Sequence, residues 1–231
     1  MGGNLYLGSQ KVCPAVLVGS SPEPEPTEYF TFKFPDSIVT FDGIVQDSVF
    51  LADNDWEPTP VFCVDFNKVE YLIDCNLASF CQSISYPIII KGLENIKQIS
   101  GSRAFANCFS GVLEENHTEI SFDNLESIGR ASCGNSLVFS NLTSIHFPKL
   151  TQMGASCLAF VGNRNGGDIY FNAVTSSTFP NGDELNNIGG NKDKVLHFPS
   201  NLSNVIPNQN QYPNFGGTNT TILYDLEPTE N

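Results

Sequence analysis

Ile145-His146-Phe147-Pro148-Lys149-Leu150-Thr151-Gln152-Met153 reads as one short strand and the bend that follows it. Alternation sets Ile145 and Phe147 on one face of the strand and His146 on the other. Leu150 and Met153 then follow Phe147 at steps of three. The same phrase returns as FKFPDSIVTF from Phe32, VDFNKVEYL from Val64, IIIKGLENI from Ile88, ISFDNLESI from Ile120, IYFNAVTSS from Ile169, LHFPSNLSNV from Leu196 and ILYDL from Ile222. With Phe147 as the anchor, the equivalent positions are Phe34, Phe66, Ile90, Phe122, Phe171, Phe198 and Tyr224. In chain order the eight anchors are separated by 32, 24, 32, 25, 24, 27 and 26 residues, the period of a solenoid.

The first inward column is Phe32, Val64, Ile88, Ile120, Ile145, Ile169, Leu196 and Ile222, and the anchors form a second. A third holds Val69, Leu93, Leu125, Leu150 and Val174, and a fourth Phe41, Leu72, Ile96, Ile128, Met153 and Val205. Each rung therefore buries roughly four apolar side chains, at about 1.5 to 3 kcal/mol apiece. Ordering some 25 residues costs about 1 to 2 kcal/mol each, so a single rung cannot stand alone and the repeat must be stacked. Thiols recur with the period at Cys81, Cys108, Cys133 and Cys157, where they are expected to fill the interior as small apolar groups.

One letter of the phrase faces out: Lys33, Asp65, Ile89, Ser121, His146, Tyr170, His197 and Leu223. Ser121, His146, Tyr170 and His197 form a contiguous polar-aromatic stripe of the kind that suits glycan or protein contacts, and they are the candidate binding face. Ile89 and Leu223, the apolar exceptions, are expected to lie under a loop or a neighbouring subunit.

Composition narrows the partners. Twenty-five acidic against 11 basic residues give a formal charge of -14, a field that repels phosphate backbones and anionic lipid. No stretch approaches the roughly 20 apolar residues that span a bilayer, and residues 1–18 lack a basic segment followed by a continuous apolar core. The chain reads as soluble and unexported, with neither nucleic acid nor membrane insertion expected. Seven Cys with no CxxC pair suggest neither a zinc site nor a complete disulfide framework. His146 and His197 stand two rungs apart, too far for one metal ion, and no calcium-hand or phosphate-cradling motif is present. Catalytic residues, cofactors and metals are accordingly not expected, and the chain is not read as an enzyme. The N-x-S/T sequons at Asn116, Asn141, Asn201 and Asn219 read as chance matches in an Asn- and Ser-rich chain.

The Pro-acid alternation of residues 20–28, SSPEPEPTE, is an extended spacer that divides the chain. Before it, residues 1–19 form an arm too small to bury a core; Leu5, Tyr6, Leu7, Val12 and Val16 are its candidate anchor, in short alternating runs about a Gly8-Ser9 break. Residues 29–231 form the solenoid of about eight rungs.

Ala104-Phe105 with Cys108, Leu125-Glu126-Ser127-Ile128-Gly129, Leu142-Thr143-Ser144-Ile145-His146-Phe147-Pro148 and Ala155-Ser156-Cys157 resemble the "AFxxC" turn and "LxxIxFPxLxxIG" strand and bend of BspA-like leucine-rich repeats. The resemblance is good over residues 85–160 and weakens toward both ends. It implies a β-rich α/β solenoid of leucine-rich-repeat type, with a parallel sheet on the concave face and short helical or 3-10 turns and loops on the convex face. A binding or adhesive role goes with it. The arm NLYLGSQKVCP and its spacer are similar to the N-termini of virion proteins of tailed phages of gut bacteria, head-fibre proteins among them. That similarity implies a structural, adhesive virion protein assembled in the bacterial cytoplasm in several copies, its arm held by a capsid or other virion protein and its solenoid meeting a cell-surface glycan or protein. The alternative is a BspA-like protein of the bacterial cell surface that mediates adhesion.

Overall fold

The computed structural model describes residues 5–7, 10–12, 29–33, 61–73, 87–100, 110–130, 132–133, 137–159, 161, 167–179, 183–186, 188, 193–203 and 220–228. Strands β1 (Leu5–Leu7) and β2 (Gln10–Val12) pair antiparallel across Gly8 and Ser9. Val16, the spacer, Phe34, Phe41, Val205, Cys81 and Cys108 lie outside the described residues.

From there on every pairing is parallel. In chain order the strands are β3 (Tyr29–Lys33), β4 (Val61–Asp65), β5 (Tyr71–Leu72), β6 (Ile88–Lys91), β7 (Gln98–Ile99), β8 (Ser110–Gly111), β9 (Glu119–Ser121) and β10 (Ser127–Ile128). They continue as β11 (Val138–Phe139), β12 (Ser144–Phe147), β13 (Gln152–Met153), β14 (Gly167–Phe171), β15 (Lys194–Pro199) and β16 (Thr220–Leu226). The repeated phrase builds the sheets β3-β4-β6 and β9-β12-β14-β15-β16, and the bend after it builds the sheet β5-β7-β10-β13, with β8-β11 as a fourth, two-stranded ladder. The chain is thus a parallel β-solenoid. Its helix among the described residues amounts to three 3-10 turns of three residues each, at Leu93–Asn95, Ser176–Thr178 and Ser200–Leu202. The 3-10 turns expected from sequence are thus present, two-residue strands run beside one another in the bend, and the short helical turn expected over residues 102–108 lies outside the described residues.

The spacing Phe-x-x-Leu-x-x-Ile explains the bend. The anchor carbonyl accepts from the amide three residues on, as in Phe122 O to Leu125 N at 3.2 Å, and the chain then enters the second sheet, where Ile128 pairs with Met153. Apolar residues at anchor, plus three and plus six all point into one core, and Phe122, Leu125, Ile128, Phe147, Leu150 and Met153 are all buried. Inside that core Phe122, Phe147, Phe171 and Phe198 stack with ring centroids 5.3, 5.5 and 5.2 Å apart, and Tyr224 closes the series at 6.2 Å.

One repeat departs from the expected alignment. Val64 pairs with Ile90, and Leu72 with Ile99, so Leu93 takes the anchor place and Ile96 the one after it. Their bonds agree: Val69 N to Phe66 O and Ile96 N to Leu93 O are equivalent. Gly92, at φ 82°, is the inserted residue that makes room. With Leu93 in place of Ile90, the separations of 24 and 32 residues become 27 and 29.

Between the two main sheets the ladder is interrupted. Ile88 bridges to Leu113, whose amide donates to Asn141 Oδ1 at 2.8 Å and whose carbonyl accepts from Asn141 Nδ2 at 2.9 Å. The Asn141 side chain stands in for a missing strand, which accounts for the Asn at one of the sequons. Asn side chains also tie successive bends, Asn95 Nδ2 to Asn67 O and Asn124 Nδ2 to Glu94 O, both at 2.7 Å.

Cys133 and Cys157 lie buried on neighbouring rungs, joined by a backbone bond from Cys133 N to Cys157 O of 2.9 Å. Cys63 is buried as well. Burial pushes the thiols of Cys133 and Cys157 up, which removes the reactive thiolate. Alkylation with iodoacetamide at pH 8 followed by peptide mapping is expected to leave Cys63, Cys133 and Cys157 unmodified until denaturant is added. Modification of Cys133 or Cys157 in the native protein would contradict their interior placement.

Candidate binding face

The parallel register brings the outward residues of the second half into one line. Ser121 pairs with His146, His146 with Tyr170, Tyr170 with His197, and His197 with Leu223. All four stripe residues picked out from sequence are therefore side by side on consecutive strands. Because parallel strands repeat at roughly 4.8 Å, like rings in register come face to face. His146 and Tyr170 stack at 4.5 Å with 1° between their planes, and Tyr170 and His197 at 4.3 Å with 12°. An outer ring stack thus mirrors the inner Phe stack on the opposite face of the same strands.

Polar neighbours hold the rings upright, two residues away on the same strand for His146 and Tyr170 and on the next strand for His197. Ser144 Oγ lies 2.9 Å from His146 Nε2. Tyr170 Oη donates weakly to Asp168 Oδ2 at 3.5 Å, and burial together with the Asp168 charge raises the phenol above its usual range. His197 Nδ1 is 2.9 and 3.0 Å from the two Asp225 oxygens. A carboxylate only accepts, so the proton sits on Nδ1. Nε2 is then left buried without a hydrogen bond, 4.0 Å from Asp168 Oδ1. Asp225 reaches His197 through a register shift: Phe198 pairs with Tyr224 but Pro199 with Leu226, and the extra residue is turned toward the ring. At the far end Ser121 Oγ donates to Asp123 Oδ1.

The flanking carboxylates of Glu119, Asp123, Asp168 and Asp225 were absent from the sequence-derived set. Their signal was present in the alternation, since Glu119, Asp123 and Asp168 each stand two residues from a stripe position and Asp225 two from Leu223. Leu223, expected to lie under a loop or a neighbouring subunit, is instead exposed at 39% in the single chain. Ile89 differs: it is buried at 1% with Val61 and Cys63 in a second apolar cluster on the outward side of β4 and β6. The outward face of the second half is consequently polar, with Ser121 exposed, His146 and Tyr170 half-buried and His197 buried, whereas at Val61, Cys63 and Ile89 it is apolar and buried.

His117 pairs with Glu114 at 2.7 Å in an exposed turn, away from the stripe. Lys194, on the inward side of β15, has its amine lowered by burial to about 8. Among the described residues no group of three or more His, Cys, Asp or Glu side chains is placed to hold a metal ion, and no helix is long and apolar enough to cross a membrane. No family model, curated protein or solved structure matches the chain.

Proposed function

We propose that this protein is a displayed adhesion module, in which the outward face of β9, β12, β14, β15 and β16 contacts a protein or glycan and residues 1–19 attach the chain to a larger assembly. The assembly is the virion of a tailed phage, with the module carried in several copies as a head-fibre or decoration protein. The solenoid is of BspA-like leucine-rich-repeat type, a reading supported by the Phe-x-x-Leu-x-x-Ile bend and by the close approach at Gly154, where a Cβ would stand 2.5 Å from Arg130 N. The observation that carries the binding role is the outer stack of His146, Tyr170 and His197. Inward rings are buried for folding, whereas His146 and Tyr170, half-buried on the polar outward face and backed by the buried His197, supply rigid contact area at little conformational cost.

The test compares the full chain with the triple variant His146→Ala, Tyr170→Ala, His197→Ala in adsorption to host cells, alongside a chain lacking residues 1–19. The triple variant is expected to keep the circular dichroism of the wild type and to lose about tenfold or more in adsorption. The truncated chain is expected to adsorb normally when free and to be missing from assembled particles. Wild-type adsorption by the triple variant removes the binding role, and normal incorporation of the truncated chain removes the anchoring role.

A further inference from the structure

The outer stack covers its own ring faces. Tyr170 has His146 on one side and His197 on the other, and the residue in register beyond His197 is Leu223. Beyond His146 the register residue is Ser121, small and exposed, and β9 is the last strand of its sheet. The stack therefore stops one layer short: where a fourth ring would lie, there is a serine whose hydroxyl is already given to Asp123.

The surroundings of that layer select what fills it. Alternation sets Glu119 on the same face as Ser121, roughly 6.6 Å back along the strand, and the bond from Ser121 to Asp123 brings the second carboxylate to the other side. Both acids are exposed. Among the described residues no salt bridge joins a cation to Glu119 or Asp123, and Lys149 donates instead to Asn124 Oδ1 at 2.6 Å. An occupant of this slot must be flat enough to continue a stack, must bring donors rather than acceptors, and is favoured by positive charge. A guanidinium meets all three conditions: it is planar, stacks on aromatic faces, and presents a fork of N–H donors to carboxylates. A neutral pyranose meets the first two and gains nothing from the charge.

We propose that the open end of the outer stack is an arginine slot, in which a guanidinium from a partner protein lies against the free face of His146, over Ser121 and between Glu119 and Asp123. This rests on the binding role of the same face and makes the partner a protein that presents an exposed arginine.

The probe is N-acetyl-arginine methylamide, titrated into the full chain and followed by NMR at the Ser121 and Asp123 amides and the His146 ring protons. Saturable shifts of all three are expected, with N-acetyl-lysine methylamide at least about threefold weaker because it lacks the planar fork. Ser121→Phe supplies the missing ring from within and is expected to reduce the response about tenfold or more while the spectrum elsewhere remains that of the folded protein. Glu119→Gln with Asp123→Asn is expected to weaken binding by a similar factor, by removing the charges and leaving the stack. Equal response to the lysine probe, an unchanged response in Ser121→Phe, or saturation of the same signals by methyl glucopyranoside in place of the arginine probe overturns the slot. Cell adsorption separates the two levels. Adsorption lost in the triple stack variant but normal in Ser121→Phe leaves the adhesive reading standing and overturns arginine as its contact. Arginine binding with normal adsorption by the triple variant does the reverse.

Discussion

Phe147→Ala is expected to lower the unfolding free energy by about 3 to 5 kcal/mol, the cost of removing a fully buried aromatic side chain and leaving part of its volume empty. Phe147 is an interior ring of the inner stack, in ring contact with Phe122 at 5.3 Å and Phe171 at 5.5 Å, and it is 1% exposed. Its loss thus forfeits two stacked pairs, each worth about 0.5 to 1.5 kcal/mol beyond the area buried. For a chain of this size the midpoint of thermal unfolding should fall by about 6 to 20 °C. His146→Ala, one residue away but on the outward face, is the control: half-buried, it should cost about 1 kcal/mol or less apart from its stacking on Tyr170. Equal destabilisation by the two changes, read from far-ultraviolet melts, would mean that the strand does not separate an inside from an outside at this rung.

That pair also shows what made most of the fold legible. A residue such as Phe147 carries two signals at once, its parity within a strand and its distance from Leu150 and Met153, and the two agree in the repeats anchored at Phe122 and Phe147. Where parity held, the outward column followed automatically, so Ser121, His146, Tyr170 and His197 were placed together before any geometry was known. The second sheet was hidden for the opposite reason. Its strands are two residues long, as in Ser127–Ile128 and Gln152–Met153, and two residues carry no period. Ile89 was expected to be covered although parity turns it outward, and it is buried beside Val61 and Cys63; strand parity reports direction, not what lies in that direction. The acids beside the stripe were passed over because attention to one outward letter per repeat leaves out its neighbours on the same face, and Asp225 in addition depends on a register shift that no pattern in β16 announces.

Gly92→Ala is expected to cost about 2 to 5 kcal/mol, because Gly92 is buried in its turn, and the reason is the same insertion that disguised its repeat. Ile88-Ile89-Ile90 offers either parity for the strand, and only the extra residue before Leu93 decides between them. To absorb that residue the chain turns left-handed at Gly92, φ 82°, where a side chain costs about 1 to 2 kcal/mol. A Cβ there would also lie 2.6 Å from Asn67 N and 2.9 Å from Phe66 C, backbone atoms of the rung below that cannot rotate away, so a further 1 to 3 kcal/mol or so of overpacking follows. Asn67 itself is held by Asp65 Oδ1 at 2.7 Å and by Asn95 at 2.7 Å, which leaves the bend little room to give. The change should therefore act between the rungs of Phe66 and Leu93, and hydrogen exchange is the measurement that localises it. Amides of β4 to β7 are expected to lose protection first, while β12, β14 and β15, and with them the outer ring stack, keep theirs. A uniform loss across both sheets would instead mean that the interruption sealed by Asn141 transmits strain as well as an unbroken ladder does, and that the binding face is not insulated from the first half of the solenoid.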